Sequence, residues 1–168
     1  VIRYAETRSD KVGGVIASSP ALAKSPETPG FMVALAKFLG RVAPGLTLSN
    51  GIKPELLSRS PKVVKAYIED PLVHDRISAR LGRSIFENME KAHREADKIK
   101  VPVLLLVGTG DVITPPEGSR RFFEELKIKD KEMKEFPGAY HEIFEDPEWG
   151  EEFHGTIVEW LLRHSGES

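Results

Sequence analysis

The sequence predicts an α/β fold in which parallel strands are flanked by helices and interrupted by a helical insertion. Three observations carry this. Short, apolar, β-branched runs at residues 12–18 and 101–107 read as strands buried on both faces. Helical segments alternate with the strands, the pattern of crossover connections in a parallel sheet. Between the two runs, residues 21–98 read as mostly helical.

The elements follow in order. Residues 1–8 read as the later turns of a helix, with Ser9-Asp10-Lys11 as a turn. No capping residue precedes that helix and the chain opens on Val1, so the expectation is a fragment or processed product. The first strand runs from Val12 to Ser18 and is ended by Pro20. Gly30 to Ala43 is a helix that is apolar on nearly every side, with only Lys37 and Arg41 as a polar edge. Pro44–Pro54 is expected to be irregular. Pro61 suits a first helical position, and its helix runs to about Asp70. A longer charged helix spans residues 78–98, with Leu81, Ile85, Met89 and Ala92 on one face.

The second strand is Val101–Val107. Thr114 is expected to cap the next helix, in a capping box with Glu117 and with Pro115 at the first position. Phe122, Phe123 and Leu126 continue that helix. The third strand lies near Glu132–Phe136 and is broken by Pro137-Gly138. Asp146 or Pro147 is expected to open a last helix, with Phe153, Ile157, Trp160 and Leu161 at helical spacing. Three strands leave two unpaired sheet edges, which again points to strands missing from the N-terminal side. The expected division is a core segment at 1–20, a helical cap at 21–98 and a second core segment at 99–168.

Composition narrows the function. The chain has 168 residues, enough for one domain, with 40% hydrophobic and 30% charged residues. A net charge of −2 without a basic run argues against nucleic acid as a partner. The absence of cysteine excludes a disulfide scaffold, a thiol nucleophile and a cysteine zinc site. No apolar run approaches the ~20 residues of a membrane span. No His-Glu-x-x-His pattern occurs, and neither a metal nor a cofactor is expected.

In sheets of this kind, functional groups sit just past the carboxyl ends of strands. Asp111 follows the second strand and His141 follows the third, in Gly138-Ala-Tyr-His141. Acid before base is the order expected after an upstream serine. A serine hydroxyl is a weak nucleophile until an imidazole takes its proton, and a carboxylate must hold that imidazole in one tautomer. Singly, each residue has a plainer reading: Asp in a Gly-Asp turn is turn chemistry, and a lone His in a loop is solvated. His74, His93, His154 and His164 read as ordinary helix, turn or tail residues. Ser18 and Ser19 follow a strand, but Ser18-Ser19-Pro20 lacks the glycines of a nucleophile elbow, so neither is expected to attack. The apolar helix at 31–43 has two readings, a buried core helix or a lid facing lipid.

Several blocks together carry a resemblance: Val15-Ile-Ala-Ser-Ser-Pro20, Leu57-Ser-Arg59, Asp70-Pro-Leu72, Val101-Pro-Val-Leu-Leu-Leu-Val-Gly-Thr-Gly-Asp111 and Gly138-Ala-Tyr-His141. On these the chain resembles the C-terminal part of the monoacylglycerol lipases and lysophospholipases, serine hydrolases of the α/β-hydrolase fold. The resemblance implies Asp111 as triad acid and His141 as base. It implies that the insertion is a cap with helix 31–43 as its lid, and that Phe31, Leu35, Phe38, Leu39 and Ile52 line the acyl or glycerol channel. The substrate implied is a monoacylglycerol, lysophospholipid or similar ester, hydrolysed through an acyl-enzyme without cofactor. The implied partner is the N-terminal part of the same protein, with the nucleophilic serine about half a dozen residues before Val1 and the oxyanion-hole amides also upstream. This chain alone is then expected to be inactive. The expected location is the cytoplasm, with peripheral membrane contact through the lid. Two other readings stay open from the residues themselves: a dehalogenase with an upstream Asp nucleophile, and a non-catalytic binding module.

Overall fold

The computed structural model describes residues 1–166. The elements are α1 (Ile2–Arg8), β1 (Val15–Ser18), α2 (Gly30–Val42), β2 (Thr47–Ser49), α3 (Pro61–Glu69), β3 (Arg76–Ser78), α4 (Ala79–Glu95), β4 (Val103–Gly108), α5 (Pro116–Glu125), β5 (Lys131–Phe136) and α6 (Gly150–His164). Strands β1, β4 and β5 form a parallel sheet in the order β1-β4-β5. Val15 pairs with Val103, and Val103 in turn with Lys131.

The central strand explains the layers. All six residues of β4 are buried. Successive side chains of a strand point to opposite faces, so Val103 and Leu105 join one core while Leu104 and Leu106 join the other. The first core contains Ile2 and Ala5 of α1, Ala92 of α4 and Phe122 of α5. The second contains Phe153 and Trp160 of α6 together with Phe136, Ala139 and Ile143. Helices therefore cover both faces, as the apolar runs predict for a parallel sheet. The edge strand β5 is charged, and its charges are paired. Lys131 donates to the carbonyls of Phe123 and Leu126 at the end of α5, and Arg120 pairs with Glu135. Lys134 pairs with Glu152 of α6.

Several elements differ from the sequence expectations. β1 begins at Val15 because Gly13 and Gly14 precede it. A Cβ on Gly14 would lie 2.5 Å from the Trp160 ring, so the chain passes flat under that indole. The stretch 44–54 is not wholly irregular: Thr47–Ser49 pairs antiparallel with Arg76–Ser78, and Arg76 reinforces the pair by donating to the Thr47 carbonyl at 2.8 Å. These strands are three residues long, too short to show an alternation. α6 starts at Gly150, not at Asp146 or Pro147. The Asp146 carboxylate instead accepts from the amides of Glu148 and Trp149 and holds a turn ahead of the helix.

The insertion departs from the expected burial. Within α2 only Gly40 is buried, so the core-helix reading does not hold. α2 lies on α4, and Gly40 permits the contact: a Cβ there would sit 2.5 Å from Arg83 Cβ and 2.7 Å from the Ala79 carbonyl. Phe31, Met32, Leu35, Phe38 and Val42 are exposed. On α4 the expected apolar face is buried only toward its end. Leu81 is 52% exposed, whereas Ala92 enters the main core. α4 thus holds α2 through Ala79, Arg83 and Glu90, and reaches the main core with Ala92 near its end.

One further tie joins the insertion to the sheet. Arg59 grips Asp146 through two hydrogen bonds of 2.8 and 2.6 Å, and also pairs with Glu148. The Leu57 carbonyl accepts from the Glu142 amide at 2.8 Å. The side chain of Asp146 is 1% exposed. Burial alone would push its carboxyl up, but Arg59 and the Glu148 and Trp149 amides outweigh that and hold it below the ordinary carboxylate value. A depressed value stabilises the fold above the unfolded-state pKa of about 3.9 and loses that effect as pH falls through the folded-state value. Arg59→Ala in the full-length protein is therefore expected to cost roughly 1.5–3 kcal/mol at neutral pH. Denaturant unfolding across a pH series checks this: the gap to wild type should be widest at neutral pH and shrink in strong acid. A gap that is constant with pH would count against the pairing as its source.

Candidate active site

The site forms where the chain leaves β4 and β5. The two following loops continue the strand pairing. The Thr109 amide donates to the Phe136 carbonyl at 3.0 Å, and the Gly110 amide to the Ala139 carbonyl at 2.9 Å. The Gly138 amide donates to Thr109 Oγ1 at 2.8 Å. Backbones this close leave no room for side chains. A Cβ on Gly108 would lie 2.3 Å from the Ala139 carbonyl, and one on Gly110 would lie 2.8 Å from the Gly138 carbonyl. Gly138 turns the second loop with a φ of +70°, in the left-handed region that glycine enters at no steric cost.

This contact brings the two sequence candidates together. Asp111 Oδ2 and His141 Nδ1 are 2.8 Å apart. The Asp111 side chain is 1% exposed and that of His141 27% exposed. Asp111 also performs the turn chemistry expected of an Asp after Gly. Its Oδ1 accepts from the amides of Ile113 and Thr114 at 2.8 and 2.9 Å. The plain and the functional readings thus use different oxygens of one carboxylate. Burial would push the Asp111 carboxyl up. The hydrogen bonds from His141 and from the Thr114 amide and hydroxyl outweigh burial, and the carboxyl lies below its ordinary value. An ionised Asp111 assigns the imidazole proton to Nδ1. Nε2 then carries the free lone pair, with no hydrogen-bond partner among the described residues. A partly exposed imidazole in this state can accept a proton from a hydroxyl within hydrogen-bond reach of Nε2.

Thr114 does not cap α5 as the sequence suggests. The helix opens at Pro116 with Pro115 as its uncapped N-cap residue. The Thr114 hydroxyl turns instead toward Asp111 Oδ2 at 2.7 Å, the Ser19 carbonyl at 3.0 Å and His141 Nδ1 at 3.1 Å. Ser19, at the end of β1, donates its hydroxyl to the main-chain carbonyl of His141 at 2.9 Å. Sequence reasoning misses both residues. The signal available is a hydroxyl three residues after the acid, which also fits a capping box.

Phe31, Leu35, Phe38 and Leu39 are on α2, the first three exposed and Leu39 half-buried, while Ile52 is exposed beyond β2. None belongs to either core cluster. The remaining histidines have local partners. His74 accepts from the Arg76 amide. His154 and His164 bond carbonyls one helical turn back. His93 bridges Glu125 and the Leu22 carbonyl. Among the described residues, no three His, Cys, Asp or Glu side chains converge as metal ligands would.

Comparison with known proteins shows the family. A monoacylglycerol lipase of Mycolicibacterium smegmatis is 30% identical over 98% of this chain and 58% of its own length. Human monoglyceride lipase is 31% identical over 98% of this chain and 55% of its own. The crystal structure of a monoacylglycerol lipase from Paleococcus ferrophilus superposes with a TM-score of 0.96 at 76% identity, over 97% of this chain and 63% of that one. The chain therefore spans between half and two thirds of the length of these relatives. The Hydrolase_4 family, described as serine aminopeptidase, S33, matches residues 1–148, and the chain belongs to that family of α/β hydrolases.

Proposed function

We propose that this chain supplies the acid and the general base of a serine ester hydrolase, with the nucleophile and oxyanion-hole amides carried by the N-terminal part of the same protein. The observation that carries the reading is the 2.8 Å bond between Asp111 Oδ2 and His141 Nδ1 at the ends of neighbouring parallel strands. In this mechanism His141 Nε2 takes the proton of the serine hydroxyl as it attacks the ester carbonyl. The imidazolium returns that proton to the leaving alcohol as the ester C–O bond breaks. The same nitrogen then activates water to release the acid. Asp111 keeps Nδ1 protonated throughout and stabilises the imidazolium. The reaction needs no cofactor. Without a nucleophile the 168-residue chain has no route to an acyl-enzyme, so it is inactive by itself.

The substrate class is a monoacylglycerol, lysophospholipid or similar carboxylic ester. The family description names a peptidase, but the relatives named above are lipases, and α2 presents apolar side chains that suit an acyl chain. α2 acts as the lid. Phe31, Leu35, Phe38 and Leu39, with Ile52, take the acyl chain. The exposed apolar side of α2 also serves peripheral contact with a lipid surface. Among the described residues no helix is long and apolar enough to cross a membrane.

His141→Ala in the full-length protein is expected to lower kcat for ester hydrolysis by at least about 10⁴-fold, read with a p-nitrophenyl ester. Near-normal turnover would sink the assignment of the base. Phe38→Asp is expected to reduce kcat/KM for a long-chain monoacylglycerol by about 10-fold or more while leaving p-nitrophenyl acetate within about twofold. Equal losses on both esters would remove α2 from the acyl-binding role.

A further inference from the structure

We propose that Thr114 is a positioning residue that fixes the tautomer and orientation of His141. The proposal rests on the reading of Asp111 and His141 as acid and base. Thr114 is 7% exposed, and its hydroxyl lies among three polar atoms: Asp111 Oδ2, the Ser19 carbonyl and His141 Nδ1. A hydroxyl has one proton to donate and two lone pairs. Its shortest contact, 2.7 Å, is to the carboxylate, as expected of a charge-assisted bond. The proton therefore goes to Asp111 Oδ2 in preference to the neutral Ser19 carbonyl at 3.0 Å, and a lone pair is left toward His141 Nδ1 at 3.1 Å. The Nδ1 proton then lies between two acceptors, Asp111 Oδ2 at 2.8 Å and Thr114 Oγ1.

The alternative tautomer breaks this arrangement. With the proton on Nε2, the Nδ1 lone pair faces the carboxylate. Thr114 can then satisfy either Nδ1 or Asp111, but not both. The hydroxyl thus favours the form in which Nε2 is free to act as base.

Ser19 supports the same geometry from the other side. Its φ of +42° is in the left-handed region that residues other than glycine seldom adopt. In that conformation its own hydroxyl donates to the His141 main-chain carbonyl at 2.9 Å, while its carbonyl, 3.0 Å from Thr114 Oγ1, is the weaker of two acceptors facing the Thr114 proton. Its amide remains bonded to the Leu106 carbonyl at 2.8 Å, continuing the sheet. The end of β1 is thereby tied to the backbone of the base.

The test compares Thr114→Val, Thr114→Ser and Thr114→Cys in the full-length protein, with kcat and KM measured on p-nitrophenyl butyrate. Val removes the hydroxyl at nearly constant volume, Ser keeps it, and Cys leaves a weak donor. The expected result is a kcat about 10- to 100-fold lower for Val with KM within about twofold, Ser within about threefold of wild type, and Cys between them. Wild-type kcat in the Val variant overturns the proposal, as does a Ser variant as slow as Val. Should circular dichroism show the Val variant unfolded, the Ser and Cys pair decides: kcat following donor strength supports the role, and equal kcat overturns it. His141→Ala is assayed alongside. If it retains activity, the acid–base reading fails and takes the Thr114 role with it. If it is inactive while the Val variant runs at full speed, Thr114 alone is ruled out.

Discussion

The backbones of the loops that leave β4 and β5 touch, and the site is built on that contact. Parallel pairing from Val103–Lys131 to Gly108–Phe136 delivers both loops to the same edge of the sheet. Pairing alone would leave them separated by the side chains between them. Gly108 and Gly110 remove those side chains, so that main-chain carbonyls of residues 138–140 occupy the space a Cβ would take. Asp111 and His141 lie just beyond this junction and meet at 2.8 Å.

The surroundings then give the two groups different exposure. Asp111 is sealed under His141 and Thr114, where its charge is met by two amides, a hydroxyl and the imidazole. A buried carboxylate without such donors would take up a proton instead. His141 is partly open to solvent. The segment Leu57–Arg59 fastens the loop that follows His141, by main chain at Glu142 and by ion pair at Asp146. The insertion is consequently rooted at the base, while α2 packs along α4 through Gly40 and the Lys37–Glu90 ion pair and leaves Phe31, Met32, Leu35, Phe38 and Val42 exposed.

Much of this was legible in the chain. The apolar runs mark β1 and β4, a long apolar stretch marks α2, Pro61 marks the start of α3 and an apolar face marks α4, because these patterns are local. Asp111 and His141 stood out by their places after strands. The less legible features are those in which one residue satisfies two demands. Thr114 has the spacing of a capping residue, but the pull of a buried carboxylate at 2.7 Å is stronger than that of solvent-accessible helix amides. Asp146 looks like a helix start, yet its carboxylate holds a turn and an arginine from a distant segment. The exposure of α2 could not be read from its composition, because an all-apolar helix fits a core or a lid equally well. The β2–β3 pair joins segments 29 residues apart and is reinforced by Arg76 on the Thr47 carbonyl, contacts with no local signature.

The central claim is that His141 is the base that faces the nucleophile. A crystal structure of the full-length protein, with a phosphonate bound covalently to its reactive serine, tests this most directly. The expected result is His141 Nε2 within about 2.6–3.2 Å of the serine Oγ, with Nδ1 still bonded to Asp111. A phosphonylated serine served by another histidine, or a His141 whose Nε2 points away from it, would contradict the account.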